Sequence, residues 1–318
     1  MQPQVLCVGN IMLDMFLHAE KNPEIVSVSN AITIPLGSKI AIPQTDIHLG
    51  GCAVNVTIGL SRLGVTPVLT AETGDDALSN SALDMLKKEN IDCSHVVITP
   101  GAKASFAVVL DMTGERTEFV HQEVREHNLP IDDVTAPWVY LASVGNTWQE
   151  LYTRVLTHSD QTHAKIIFNP GSMQLHAGLE ALLPVLAKTE VLLVNNEEAA
   201  GLVGKGVDSD LHAIMDELHA KGPRIVVVTQ GEKGATVRDD SGQYFFQESL
   251  PTSFVEKTGA GDAFSSGFTA AYIQGKTLQE ALLWGSANAA SVIAHGGGQQ
   301  GLMDPSQLEM SLRERNIA

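Results

Sequence analysis

The chain has 318 residues, of which 44% are hydrophobic and 18% are charged, and 20 Lys and Arg residues against 37 Asp and Glu residues give a formal net charge of −17. This composition excludes a disordered or fibrous protein, and the negative charge argues against nucleic acid or an anionic membrane surface as a partner. An anionic substrate would need a local cationic or metal-bearing pocket against that field.

No apolar run approaches the length of about 20 residues that spans a bilayer, and the first residues lack the pattern of a secretory signal, so we expect a cytoplasmic protein. The cysteines Cys7, Cys52 and Cys93 lie far apart without a C-x-x-C spacing. This spacing argues against a disulfide framework and a thiolate zinc site, and we interpret all three as structural thiols.

Short apolar runs alternate with longer amphipathic segments, as in β-α-β units around a mostly parallel sheet. The predicted strands are Val5–Val8, Val65–Thr70, Trp138–Ser143, Lys165–Phe168, Val191–Val194 and Ile225–Thr229. The predicted helices are Ala53–Leu63, Ala77–Glu89, Glu150–His158, Leu179–Ala187, Asp210–Ala220, Asp262–Gln274, Leu278–His295 and a closing helix near Pro305–Arg315. We predict one α/β domain over residues 1–318, because no linker, repeat or low-complexity segment marks a second one.

Two regions depart from this alternation. The chain between Glu20 and His48 is polar and extended, and Ser105–Asp111 with Glu115–Gln122 has the pattern of a β-hairpin. Two interpretations stay open at this point. The segments at about 17–49 and 103–123 form a small β-lid over one end of the α/β body, or they are surface loops without that role.

Several common motifs are absent from the sequence. There is no G-x-x-x-x-G-K-[ST] pattern, and the first strand leads into Gly9-Asn10-Ile11 instead of G-x-G-x-x-G. A G-x-S-x-G nucleophile elbow and an H-E-x-x-H metal pair are also missing. The sequence therefore supports neither a P-loop NTPase nor a Rossmann dehydrogenase.

The strongest local signal is the glycine-rich turn at Thr258–Phe264, which leads directly into an apolar helix. Its glycines allow a ligand to approach the backbone, and the unpaired amides at the start of a helix form an anion site. Asp262 in this turn fits a general base that accepts a proton from an alcohol, while the amides of Gly259, Ala260 and Gly261 hold the charge on a transferring phosphoryl group. The alternative is a helix N-cap, a position where Asp is common.

This turn resembles the C-terminal signature of the ribokinase-like, or PfkB, family of carbohydrate and nucleoside kinases, in which a G-A-G-D turn carries the catalytic Asp. Further stretches that resemble family landmarks, in the same order, are Gly9-Asn10 with Asp14, Gly50–Asn55, Ile58–Gly64, Gly74–Asp76 and Gly114–Arg116. The resemblance runs from about Val5 to about Met303. It implies a ribokinase-like fold, a mostly parallel sheet flanked by helices with a small β-lid, and a kinase that uses ATP and Mg²⁺.

The resemblance also implies substrate-binding residues. Asp14, Gly50, Gly51 and Asn55 would contact substrate hydroxyls. For Asp14 the alternative is a solvent-facing carboxylate, although its position after the first strand is where open α/β sheets bind ligands. For Asn55 the alternative is an exposed polar position on a helix.

Asn195 and Glu198 match the family's N-x-x-E motif and would organise Mg²⁺ through water, because Mg²⁺ dehydrates reluctantly. The alternative is a helix N-terminus with favourable acidic residues. Thr229, Gly231 and Gly234 match the T-x-G-x-x-G nucleotide loop, for which a hairpin turn is the alternative.

Asn288 matches the stretch that borders the adenine pocket in the family, and close helix packing is the alternative. One position departs from the pattern. Glu256, followed by Lys257, stands where much of the family has an Asp that helps to hold an activating monovalent cation. The longer carboxylate and the neighbouring ammonium argue against activation by K⁺.

The resemblance therefore implies transfer of the γ-phosphate of ATP to a primary hydroxyl of a sugar, with Asp262 as general base. The net charge of −17 fits a neutral sugar better than a sugar phosphate. One alternative is a nucleoside (adenosine-like) kinase, and another is a non-catalytic sugar or nucleotide sensor, which would not need Asp262. Open edges of the lid strands also suggest a homodimer through the lid.

Overall fold

A nine-stranded sheet forms the body of the computed structural model, which describes residues 4–19, 25–28, 31–112, 115–253, 257–295 and 297–315. Its strands, numbered in chain order and given in spatial order, are β15 (Tyr244–Gln247), β14 (Ala235–Arg238), β13 (Ile225–Thr229), β12 (Thr189–Asn195), β11 (Lys165–Phe168), β10 (Trp138–Leu141), β1 (Gln4–Val8), β6 (Thr66–Thr73) and β7 (Val96–Ile98). The strands from β13 to β7 pair in parallel. β14 pairs antiparallel with both of its neighbours, β13 and β15. The predicted α/β fold is confirmed.

Helices cover both faces of this sheet. In the described residues they are α1 (Cys52–Arg62), α2 (Ala77–Lys88), α3 (Trp148–Thr162), α4 (Ser172–His176), α5 (Leu179–Leu186), α6 (Asn196–Leu202), α7 (Leu211–His219), α8 (Ala260–Ile273), α9 (Leu278–His295) and α10 (Pro305–Glu314). Within this part of the chain, no helix combines the length and apolar character that a membrane crossing needs.

The two faces of β1 belong to two separate cores. Val5 and Cys7 pack with α1, α8 and α9, whereas Leu6 and Val8 pack with α3, α5 and α7. All four side chains are fully buried. A parallel strand covered on both faces needs an unbroken apolar run, which is the pattern from which this strand is predicted.

A second sheet of four strands stands apart from the body sheet. In spatial order its strands are β5 (Gln44–Gly50), β2 (Met12–His18), β8 (Ser105–Met112) and β9 (Glu115–His121). The antiparallel pairing of β8 with β9 confirms the predicted hairpin strands, whose turn lies outside the described residues. The sheet includes Met12–His18, so it begins earlier than the predicted lid segment at about residue 17. Two short strands, β3 (Val26–Val28) and β4 (Ala31–Thr33), form a separate pair.

In the part of the chain that the structure describes, β5 and β9 are the two edges of the second sheet. The homodimer through these edges stays a prediction.

The order of the body strands defines where a ligand site is expected. β1 lies between β6 and β10, so the crossovers on its two sides lead in opposite directions. Open α/β sheets bind ligands at such a switch point, beyond the carboxyl ends of the strands. The polar residues that end or follow β1, β10, β11, β12 and β13 are Asn10, Ser143, Asn169, Asn195 and Thr229.

Candidate active site

A cleft of about 400 Å³ lies at this edge of the body sheet, between the strand ends and the second sheet. The five polar residues at the strand ends all line it. The predicted site residues that line the cleft are Asp14, Gly51, Asn55, Asn195, Glu198, Thr229, Gly259, Gly261 and Asp262. The predicted residues that do not line it are Gly50, Ala260, Gly231, Gly234 and Asn288. The structure thus brings most of the predicted site together from five separate stretches of chain.

The glycine-rich turn opens α8 at the floor of the cleft. Gly259 is the residue before the helix, with φ of 73°, and a side chain there would clash with the backbone of Gly298. Only glycine adopts this positive φ without strain and also leaves room for the backbone of Gly298. A Cβ atom at Gly261 would meet no atom within 4 Å, because this position faces the open cleft. The packing of the protein therefore does not require glycine at residue 261, whereas the close approach of a ligand would.

The three amides of the turn are not equivalent. The amide of Ala260 donates to the carbonyl of Lys257 at 3.1 Å, so this predicted phosphoryl contact is already engaged within the turn. The prediction for Ala260 therefore does not fit the observed turn. Gly259 and Gly261 face the cleft at the positive end of the 14-residue helix α8, which favours an anion there.

Asp262 lies in the first turn of α8, and Gly259 occupies the N-cap position, so the helix-cap interpretation of Asp262 is wrong. Its Oδ2 atom accepts a hydrogen bond of 2.8 Å from Nδ2 of Asn55. Burial raises the pKa of Asp262, while the hydrogen bonds from Asn55 and Cys52 act in the opposite direction. A carboxylate with a raised pKa at a helix N-terminus has the properties of a general base.

Asn55 lies on α1 and is 6% exposed as a residue, so it is not a solvent-facing position. The helix begins after Gly51, whose φ is 97° and whose Cβ atom would clash with the carbonyl of Asn10. Glycine at residue 51 therefore lets α1 start directly behind the first strand. This start places Asn55 one turn further on, opposite Asp262.

Asp14, on β2, faces the cleft from the second sheet. Its carboxylate lies over the Cα atom of Gly50, where any side chain would clash with it. Gly50 thus makes room for Asp14 and does not itself line the cleft. Cys52 lies among the carboxylates, and the charge of Asp262, followed by burial, raises the pKa of its thiol well above the usual range. The interpretation of Cys52 as only a structural thiol therefore misses its place in the cleft.

Asn195 and Glu198 form a reciprocal cap at the start of α6. The side chain of Asn195 accepts from the amide of Glu198 at 2.8 Å, and Oε2 of Glu198 accepts from the amide of Asn195 at 2.9 Å. Burial raises the pKa of Glu198, and the negative charges of Glu197 and Asp262 act in the same direction. The helix-terminus interpretation therefore holds for the backbone contacts, while the carboxylate faces the cleft.

The segment from Thr229 to Gly234 joins the antiparallel strands β13 and β14, so it is a hairpin connection. Thr229 pairs with Asn195 across the sheet and lines the cleft. A side chain at Gly234 would clash with the carbonyl of Gln247 on β15, so the sheet itself requires this glycine. Gly231 begins a short 3₁₀ turn outside the cleft.

Asn288 is fully buried in α9. Its Nδ2 donates to the carbonyl of Ala263 at 2.9 Å and to Oγ of Ser266 at 3.1 Å, and its Oδ1 accepts from the amide of Met303 at 3.0 Å. Both donor positions and one acceptor position are thus used within the protein. Helix packing therefore accounts for the Asn288 side chain, and the adenine contact stays a prediction.

Glu256, the position on which the K⁺ prediction depends, lies outside the described residues. Lys257 is exposed.

The charges of the cleft are strongly unequal. Among the described residues that line it, the carboxylates are Asp14, Glu118, Glu198 and Asp262, and the cation is Arg116. Arg116 contacts the hydroxyl of Thr258 and pairs with Glu118 at 3.2 Å. A residue of the second sheet thereby touches the glycine-rich turn, a contact that the sequence pattern of β9 did not predict.

The comparisons with known proteins agree with this architecture. A ribokinase from Arabidopsis thaliana, solved with ribose and ATP, has a TM-score of 0.83 at 19% identity, covering 98% of this chain and 99% of that chain. A Burkholderia thailandensis nucleoside kinase, solved with inosine, has a TM-score of 0.80 at 19% identity, covering 98% of both chains. The fold is therefore that of the ribokinase-like kinases.

Residues 2–305 match the profile described as pfkB family carbohydrate kinase. A nucleoside kinase of Methanocaldococcus jannaschii is 25% identical over 305 residues, which cover 94% of this chain and 93% of that protein. The chain belongs to the pfkB family of carbohydrate kinases. It is a phosphotransferase with an alcohol group as acceptor, of the carbohydrate and nucleoside kinase class.

Proposed function

We propose that the protein transfers the γ-phosphate of ATP to a primary hydroxyl of a neutral sugar, with Asp262 as general base. The observation that carries the proposal is the position of Asp262 at the N-terminus of α8, in the cleft, beside two glycines that face the same space. In this arrangement the carboxylate accepts the proton of the acceptor hydroxyl as its oxygen attacks. Gly259 and Gly261 stabilise the charge on the transferring group through their amides.

Two features of the cleft favour a neutral sugar. The described lining has four carboxylates against one arginine, and that arginine is already paired with Glu118, so a phosphorylated or acidic sugar would meet a repulsive field. None of the described lining residues is aromatic, so the cleft offers no stacking surface for a nucleobase. Asp14, Gly51 and Asn55 would contact the sugar hydroxyls, and closure of the second sheet as a lid would exclude water.

The residues also fit a magnesium ion. Burial and the charges of Glu197 and Asp262 raise the pKa of Glu198, and a divalent cation in the cleft would offset this cost. No three His, Cys, Asp or Glu side chains converge as a ready-made metal site in the described chain, so water and phosphate oxygens would supply most ligands. Asn195 and Glu198 would hold the ion through water. Thr229, which pairs with Asn195 across the sheet, would contact the nucleotide beside it. The ion would neutralise charge on the phosphate oxygens.

A nucleoside kinase is the second candidate, because two of the similar proteins are nucleoside kinases and the cleft volume of about 400 Å³ does not exclude a base. The third hypothesis, a binding-only sensor, has no use for a carboxylate kept in a desolvated position. The experiment is an ADP-release assay with a panel of neutral sugars, sugar phosphates, sugar acids and nucleosides. We expect the highest kcat/KM with a neutral sugar.

Product analysis by phosphorus NMR then identifies the phosphorylated hydroxyl. Turnover of nucleosides alone would select the second candidate. Binding of sugar and ATP without any acceptor-dependent ADP release would select the sensor.

A further inference from the structure

The amide of Asn55 is held at both of its ends. Nδ2 donates to Oδ2 of Asp262 at 2.8 Å, and Oδ1 accepts from Nε2 of Gln299 at 2.8 Å. Gln299 lies in the segment between α9 and α10, near the turn that packs against Gly259. The contact thus joins the carboxylate in the cleft to a residue that the sequence motifs do not include.

The chemistry of the contacts determines which way each amide points. Nε2 of Gln299 also donates to the backbone carbonyl of Leu49 at 2.7 Å. A carbonyl oxygen can only accept, so Gln299 must direct its NH₂ group to this side. The end of Asn55 that meets the same NH₂ group must then be its oxygen, and its own NH₂ group faces Asp262. The Leu49 carbonyl thus determines the orientation of the Gln299 amide, and the Gln299 amide determines that of Asn55 next to the Asp262 carboxylate.

The backbone of Gln299 is also fixed. Nη1 of Arg62 donates to the carbonyl of Gln299 at 2.9 Å and to the carbonyl of Leu302 at 3.0 Å, and Nη2 of Arg62 pairs with Glu89 at 2.7 Å. Gly298 is buried against the Asn55 amide, so close that a Cβ atom there would lie 3.1 Å from Nδ2. The segment therefore holds Asn55 by a hydrogen bond and by direct packing.

We infer that Gln299 is a positioning residue for phosphoryl transfer, which keeps the Asn55 amide turned so that a donor faces Asp262. This inference rests on the proposed role of Asp262 as base. If the Asn55 amide turned over, two acceptor oxygens would face each other at the distance of the present hydrogen bond. Protonation of Asp262 would remove the repulsion between these two oxygens, because the carboxyl group could then donate to the Asn55 oxygen. A protonated carboxyl group cannot act as a base.

The test uses two variants of this residue and one matched control. Gln299→Met keeps the length of the side chain without a donor, and Gln299→Glu keeps its shape and places an acceptor against the Leu49 carbonyl. The control is Gln274→Met, because Nε2 of Gln274 likewise donates to a backbone carbonyl, that of Leu63, at 3.1 Å. Gln274 lies at the other end of α8, about 18 Å along the helix from Asp262.

Two readouts separate positioning from packing. The first is the pH profile of kcat, in which both Gln299 variants should move the acidic limb to higher pH and lower kcat about tenfold within that limb, the equivalent of one charge-assisted hydrogen bond. The second is the pH titration of the Asp262 carboxyl group, followed by the carbon-13 NMR shift of its carboxyl carbon, which needs no turnover. There the pKa of Asp262 should be higher than in the wild type. Gln274→Met should move neither readout.

A double-mutant cycle adds a third criterion. In an Asn55→Ala background, Gln299→Met should leave the Asp262 titration unchanged, because the intermediate amide is missing. A wild-type titration of Asp262 in folded Gln299→Met would overturn the inference, as would equal effects with and without Asn55. If Gln299→Met does not fold, Gln299→Glu decides by the same criteria. If the wild type phosphorylates no acceptor, the proposed function fails, while the NMR titration still decides the role of Gln299.

Discussion

Two amide–carboxylate pairs face the cleft, and they are built in different ways. Asn195 and Glu198 are three residues apart, and each caps the backbone of the other in the first turn of α6. Asn55 and Asp262 are 207 residues apart, and their side chains bond directly across two helices. The first pair has a reason within its own helix, whereas the second has none. Local capping thus accounts for the Asn195–Glu198 pair, whereas no capping contact within a single helix accounts for the Asn55–Asp262 pair.

The largest effect is expected at the long-range pair. Asp262→Asn keeps an oxygen that can accept from Asn55 but removes the basic carboxylate. We expect kcat to fall by about 10²- to 10⁴-fold, with sugar and ATP binding nearly unchanged by calorimetry. Turnover above about a tenth of the wild-type value would remove Asp262 from the role of base.

A smaller and more specific effect is expected at the local pair. Glu198→Gln keeps an oxygen for the Asn195 amide, since Gln serves in a capping box as Glu does, and removes only the charge. The Mg²⁺ concentration for half-maximal activity should rise by about tenfold. The control is Glu280→Gln, because Glu280 caps the start of α9 in the same way, with the amide of Thr277 at 2.8 Å, away from the cleft. Equal Mg²⁺ profiles for the two variants would leave Glu198 with the capping role alone.

The smallest effect is one of stability. Burial raises the pKa of Asp262, so the folded state favours the protonated form. The stability that this preference contributes is complete below the unfolded pKa of about 3.9 and is lost as the pH rises through the higher folded value. Asp262→Asn has no such dependence. Its Tm should therefore exceed that of the wild type by an amount that increases with pH between those two values, measured by thermal scans across this range. Tm curves of the wild type and Asp262→Asn that run parallel across this pH range would contradict a raised pKa of Asp262 in the folded state.

Much of the fold could be predicted because its signals are local. The strand Val5–Val8 is an apolar run without interruption, and α9 has the predicted bounds Leu278–His295. The edge strand β15 was not predicted, because it is short and its Phe246 is 49% exposed, so it lacks the pattern of a buried strand. The start of the second sheet at Met12 was also missed, since β2 continues almost directly from the end of β1.

The site divides in the same way. Asp262 and Asn55 lie in motifs that a sequence displays, and the structure brings them within hydrogen-bond distance. Gln299 is a polar residue in a connecting segment, and nothing in its neighbourhood indicates a partner 244 residues away. Asn288 is the opposite case, because its side chain is used within the protein. Its stretch matches a motif, but the sequence does not show that this asparagine turns into the core of α8 and α9.

The hydrogen bond between Asn55 and Gln299 cannot form until late in the synthesis of the chain. It joins positions 244 residues apart, and the bond from Gln299 to the Leu49 carbonyl spans 250. During synthesis, α1 emerges long before the segment that orients its asparagine exists. A nascent chain that has already made the Asp262 turn still lacks this support until residue 299 leaves the ribosome. Such distant contacts also make folding slow. A chain that ends before residue 299 would therefore contain both Asn55 and Asp262 but would lack the Nε2 donor that meets the Asn55 oxygen.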